Sequence, residues 1–176
     1  MKLRFIFVLT LAVISFSSAF AVTPADYAGA WSFNREQSKD MPAQMASIKA
    51  FDLVVAADKG LKVDVDIETG TTQVPHVHQT YLYPLDGSES AITTEVMTPN
   101  GPMQVPTRLT GKVEENGALD LAISRDLKMR EAVRTMKSAE KWELSADGKT
   151  MTVHVDEERP SGPAKYTMVF DRKAKG

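Results

Sequence analysis

Residues 61–68 read LKVDVDIE, and the alternation is complete. Leu61, Val63, Val65 and Ile67 fall on one side of an extended chain, and Lys62, Asp64, Asp66 and Glu68 on the other. A period of two specifies a strand with one buried and one wetted face. The acidic row at 64, 66 and 68 is then simply the wetted face. Comparable runs recur: YAGAWSF (27–33), FDLVVAAD (51–58), QVPHVHQTYLY (73–83), SAITTEVMT (90–98), MQVPTRLT (103–110), GALDLAIS (117–124), KSAEKWELS (137–145), KTMTVHVDE (149–157) and AKYTMVFDR (164–172). Turn signals separate them: Lys59-Gly60, Asp86-Gly87, PNGP at 99–102 and Ala146-Asp147-Gly148. Pro42 limits the stretch 34–49 to at most a single helical turn. In RDLKMREAVRTMK (125–137), Met129, Ala132, Val133 and Met136 keep helical spacing, so a short amphipathic helix is expected there. Glu157 and Glu158 read as a wet strand edge or loop. Eight or nine strands joined by hairpins make an all-β sandwich or an up-and-down barrel.

The first 21 residues, MKLRFIFVLTLAVISFSSAFA, have a basic start (Lys2, Arg4), a short apolar run and a small-x-small end at Ala19-Phe20-Ala21. That is the anatomy of a signal peptide cleaved after Ala21, and the run is short for a membrane span. The expected mature chain, residues 22–176, has the size of one domain. Losing Lys2 and Arg4 takes the formal charge from −2 to −4. A mildly acidic domain without a basic patch argues against nucleic acid and against an anionic membrane surface as partners. The chain has no cysteine, which excludes disulfides, thiol catalysis, thiolate metal sites and iron–sulfur clusters. No dinucleotide or phosphate-binding fingerprint is present, and no cofactor is expected.

On the first strand Gly29-Ala30-Trp31 pairs a residue that permits close backbone approach with a large side chain that seeks burial. The last strand ends in Arg172-Lys173. In a closed barrel the first and last strands are neighbours, so a cation from the last lies over the Trp31 face. With Asn34 and Ser38, the first motif reads G-x-W-x-x-N-x-x-x-S. Ser145, Asp147, Gly148, Lys149 and Thr150 form a late S-x-D-G-K-T hairpin. Together with Asp86-Gly87 after Tyr83, this resembles the lipocalin-like (calycin) barrels, in particular the small exported bacterial lipocalin-like domains. The resemblance spans most of residues 27–172 and implies an antiparallel up-and-down lipocalin-like barrel, with or without one short helix. It also implies export, to the periplasm of a Gram-negative cell or beyond it. It supplies no catalytic residue.

His76 and His78 stand two apart on one strand, and the third histidine is His154. In KTMTVHVDE the apolar face is Met151, Val153 and Val155, which puts His154 outside. In residues 73–83 the parity is open. Val77, Tyr81 and Tyr83 share one face, and Val74, His76, His78 and Leu82 the other. With the tyrosines inside, all three histidines are outside; with Val74 and Leu82 inside, His76 and His78 line the interior. Either way the parity disfavours a three-histidine site in the barrel, and a zinc site on His76 and His78 with a carboxylate is the metal alternative.

A barrel of this size holds one small ligand. The leading function is therefore non-catalytic binding of a small apolar or amphipathic molecule. Trp31, Val63, Val65, Tyr81, Tyr83, Leu121, Met151 and Phe170 are the side chains expected inside. Several of the nine methionines fall on the later strands, where they suit either a packed core or an adaptable pocket. Catalysis on a cavity-bound substrate would need an interior polar group of shifted pKa, and the sequence singles out none.

Overall fold

A computed structural model of the chain describes residues 22–72, 76–98, 101–129, 132–159 and 162–174. The expected signal peptide, Val74 and Asn100 lie outside the described residues. Ten strands make one antiparallel sheet: β1 (Gly29–Phe33), β2 (Ile48–Ala57), β3 (Leu61–Thr69), β4 (His76–Tyr83), β5 (Asp86–Thr98), β6 (Gly101–Val113), β7 (Leu119–Met129), β8 (Ala132–Leu144), β9 (Thr150–Arg159) and β10 (Gly162–Arg172). The order across the sheet is β4-β3-β2-β1-β10-β9-β8-β7-β6-β5. Every neighbour but one is also a neighbour in sequence, and the exception, β1 against β10, joins the two ends of the chain. This is an up-and-down barrel of the lipocalin-like type. Among the described residues helix is confined to two 3-10 turns, Pro24–Tyr27 and Ala43–Ser47, the second starting directly after Pro42.

The alternation in residues 61–68 appears as burial. Leu61 and Val63 are buried and Val65 and Ile67 partly so, while Lys62, Asp66 and Glu68 are exposed. Trp31, Leu119, Met151 and Phe170 are fully buried at the end of the barrel near the chain start. Tyr27 plugs that end, with its hydroxyl 2.9 Å from the Trp142 carbonyl and 3.1 Å from the Gly117 carbonyl.

Both motifs behind the resemblance are turn chemistry. Ser38 Oγ donates to the Asn34 carbonyl and accepts from Val169 N–H, at 2.7 and 3.0 Å. Asn34 Nδ2 donates to Asp171 at 2.7 Å. In the late hairpin, Asp147 Oδ1 accepts from Ser145 Oγ and Lys149 N–H, with Gly148 at φ +65. Arg172 joins the two regions. Its Nε donates to the Gly148 carbonyl and its Nη1 to the Ala28 carbonyl, each at 2.6 Å, and its guanidinium lies 4.1 Å from the Trp31 ring centre. The expected cation over Trp31 is present.

Three expectations are corrected. The helix over 125–137 is instead the far half of the β7–β8 hairpin, with Arg125 opposite Met136 and Leu127 opposite Arg134. Residues 130–131, the connection, lie outside the described residues. A strand that alternates, turns and alternates again produces chance matches to helical spacing. The hairpin adds no strand of its own: it lengthens the two runs expected at 117–124 and 137–145 into β7 and β8, and each of the ten alternating runs is a separate strand, one or two more than the eight or nine expected. Second, β4 and β5 are consecutive yet form no ladder with each other. Pro84 between them has no N–H to donate. Asp86 then folds back on itself, its Oδ1 accepting from Ser88 N–H at 2.9 Å where the β5–β6 register slips. Ser90 Oγ, donating to the Leu82 carbonyl at 2.9 Å, spans this seam. Third, Glu157 is an interior residue and not part of a wet edge, because the face that carries Met151, Val153 and Val155 continues through it.

Candidate functional site

The barrel lumen holds a partly open cavity of about 200 Å³. Its apolar wall comes from Phe51, Leu53, Val63, Val65, Met168 and Phe170. Its polar wall comes from Tyr81, Arg125, Ser138, Glu140, Glu157 and Tyr166. Of the side chains expected inside, Val63, Val65, Tyr81, Tyr83 and Phe170 line the cavity. Trp31, Leu121 and Met151 are packed in the core and do not reach it.

The interior charges fall into three arrangements. Arg159 Nη2 donates to Glu157 Oε2 at 2.5 Å, and Tyr166 Oη donates to the same oxygen at 3.1 Å. Arg159 also reaches Gln44 Oε1 at 3.2 Å and lies 5.6 Å from the Tyr166 ring centre. Glu140 Oε2 accepts from Trp142 Nε1 at 2.9 Å. Burial pushes the Glu140 carboxyl above the usual range, against the opposing pull of the Trp142 hydrogen bond and the Arg125 charge. Arg125 Nη2 donates to Tyr81 Oη at 2.7 Å, with its guanidinium 5.8 Å from that ring centre. Burial raises the Tyr81 and Tyr166 phenols, so both stay protonated as donors at neutral pH.

Arg125, Glu140, Glu157, Arg159 and Tyr166 escaped the sequence reading. The signal was parity. Leu119, Leu121 and Ile123 lead to Arg125 on the same face, and Met151, Val153 and Val155 lead to Glu157 and Arg159. The helix expected over 125–137 cut the first series at the residue that matters.

The open parity of residues 73–83 resolves with the tyrosines inside. Tyr83 is buried, and the side chains of His76 and His78 are 54% and 59% exposed. Both histidines flank Asp66, at 2.9 Å for His76 Nε2 and 3.6 Å for His78 Nδ1. The His76 hydrogen bond, before any other cause, holds the Asp66 carboxyl low. His154 is also outside, 3.7 Å from Glu143 and 3.1 Å from Thr167 Oγ1. Among the described residues no group of three or more His, Asp or Glu side chains is disposed to hold a metal ion.

A larger depression, about 780 Å³, lies across the outside of β6–β10, with Thr110, Ala122 and Ala139 in its floor. Its lysines already pair: Lys112 with Glu114, Lys141 with Glu143 and Lys165 with Asp156. That is the pattern of a solvated outer face, and the convergent polar groups are in the smaller lumen.

An interior lined by apolar side chains with a few convergent polar groups has the form of a small-molecule site inside a lipocalin-like barrel. No protein-family model matches the chain, and no curated protein matches it. Among solved structures, a mutant of the fluorescent protein UnaG is similar at 11% identity and a TM-score of 0.43, over 84% of this chain and 96% of that one. The fold described above rests on strand order and register, independently of that likeness. No helix among the described residues is long and apolar enough to cross a membrane.

Proposed function

We propose that this is an exported, non-catalytic binding protein that holds a small apolar or amphipathic molecule in its barrel lumen. The observation that carries the reading is the cavity of about 200 Å³, lined by apolar side chains with a few convergent polar groups. At protein packing density that space takes on the order of ten non-hydrogen atoms. The polar groups suit recognition better than turnover: the Glu140 oxygen is committed to Trp142, and Glu157 to Arg159 and Tyr166. Export is supported by the character of residues 1–21, and the periplasm of a Gram-negative cell is the proposed destination.

Native mass spectrometry of protein expressed with its first 21 residues, and purified without detergent or added metal, tests this. The expected species is a chain starting at Val22 that carries a small organic adduct. Val65→Phe, which fills the cavity, removes the adduct. An adduct that survives Val65→Phe overturns the lumen reading. A zinc adduct lost on replacing His76 and His78 by Ala moves the function to the outer face.

A further inference from the structure

Among the described residues, the lumen contains one cation that makes no close ion pair. Arg159 is answered by Glu157, but among the described residues Arg125 belongs to no ion pair. Among the described residues its only hydrogen-bond partner is the neutral Tyr81 hydroxyl, and its Nε, like that of Arg159, is buried without an acceptor. Arg125 as a whole is partly buried, but a buried N–H left without an acceptor is costly, and native interiors normally satisfy such a group. Glu140 lies near enough for the Arg125 charge to favour its carboxylate, but among the described residues it makes no hydrogen bond or close ion pair with the guanidinium, and its Oε2 accepts from Trp142. Tyr81 is also incomplete. Its oxygen accepts from Arg125, while its own hydroxyl hydrogen has no acceptor among the described residues.

Two donors, one charged and one neutral, therefore converge beside a small cavity whose other wall is apolar. A neutral guest would leave the Arg125 guanidinium without a charged hydrogen-bond acceptor. A carboxylate accepts from Arg125 and from the Tyr81 hydroxyl at once, and charge-assisted bonds of this kind are the strong ones. The cavity limits the rest of the guest to a short chain or a single ring. We propose that the lumen takes a small monocarboxylic acid, its carboxylate on Arg125 and Tyr81 and its apolar part against Val63, Val65 and Met168. This rests on the lumen reading and specifies the chemical class of its ligand.

The test is calorimetric titration at neutral pH with two matched pairs: octanoate against octanol, and phenylpropanoate against phenylpropanol. The acid of at least one pair is expected to bind about tenfold or more tighter than its alcohol, the margin of one charged hydrogen bond. Arg125→Met, which keeps side-chain length and apolar body, brings acid and alcohol together and leaves the alcohol affinity within about threefold. Tyr81→Phe lowers acid affinity alone and serves as a second variant if Arg125→Met loses the folded-state circular dichroism spectrum. Equal affinities of acid and alcohol in the wild type overturn the carboxylate assignment while keeping the lumen reading. No binding of any of the four probes overturns both.

Discussion

Arg172 ties the first strand to the last. One planar group donates to the carbonyls of Gly148, Ala28 and Asp26 and covers Trp31, so the stretch 26–31, the β8–β9 hairpin and the end of β10 are held together through it. A fork of fixed donors suits this and an ammonium does not. Arg172→Lys is expected to lower unfolding free energy by about 2 kcal/mol and Arg172→Ala by about 3 kcal/mol, measured by urea titration with tryptophan emission as the probe. Gly29 completes the arrangement. It has φ +140, and a Cβ there would stand 2.8 Å from Arg172 Nη1. Gly29→Ala should therefore approach the cost of losing the Arg172 contacts, and a change below about 0.5 kcal/mol would show that the guanidinium moves aside freely. This cluster was legible in the sequence, because a Gly-x-Trp on the first strand and an Arg at the end of the last are brought together by barrel closure alone. The Arg125–Tyr81 pair was not. Its members are 44 positions apart, and nothing local marks an arginine as interior when the strand that carries it reads as a helix.

At the scale of elements, strict alternation was the reliable guide. It held for β3, where both faces are chemically pure, and it placed Met151, Val153 and Val155 inside and His154 outside. It faltered where the interior turns polar. The inward positions of β8 include Ser138 and Glu140, and those of β9 end in Glu157 and Arg159, so the alternation dissolves where the ligand site begins. A functional lumen thus hides itself from a hydrophobic pattern. The seam between β4 and β5 was equally hidden, since the chain connects them by two residues, as it would a hairpin. Hydrogen exchange tests the seam. The N–H groups of β4 and β5 that point away from their single ladder partners should exchange far faster than those of β1 and β10, which are paired on both sides. Uniform slow exchange along β4 would mean that the barrel is closed by a β4–β5 ladder in solution.

Over the whole molecule, the four tyrosines of the chain share one electrostatic fate. Tyr27, Tyr81, Tyr83 and Tyr166 all point into the barrel, and burial is the first cause that raises each phenol. Tyr27, fully buried against two carbonyls, is pushed up to about 12. In the unfolded chain a tyrosine ionises near about 10. Between those values the unfolded state has released the Tyr27 proton and the folded state still holds it, so the unfolded state binds fewer protons. Stability is then full below pH about 10 and falls as pH rises above it, by at most about 1.4 kcal/mol per unit for each such tyrosine. The other three phenols act in the same direction. The folded protein should therefore show almost no phenolate absorbance as alkali is added, until a single cooperative transition releases all four protons with loss of the tryptophan environment. Tyr27→Phe separates the two contributions of that residue. It loses about 1 kcal/mol at neutral pH with the hydrogen bond, yet its stability declines less steeply above pH about 10, so the two curves converge in alkali. A phenolate signal that titrates near pH about 10 while the tryptophan emission stays native would mean that at least one tyrosine faces water. If that signal disappeared in Tyr81→Phe, the donor assigned to the carboxylate would lie outside the lumen.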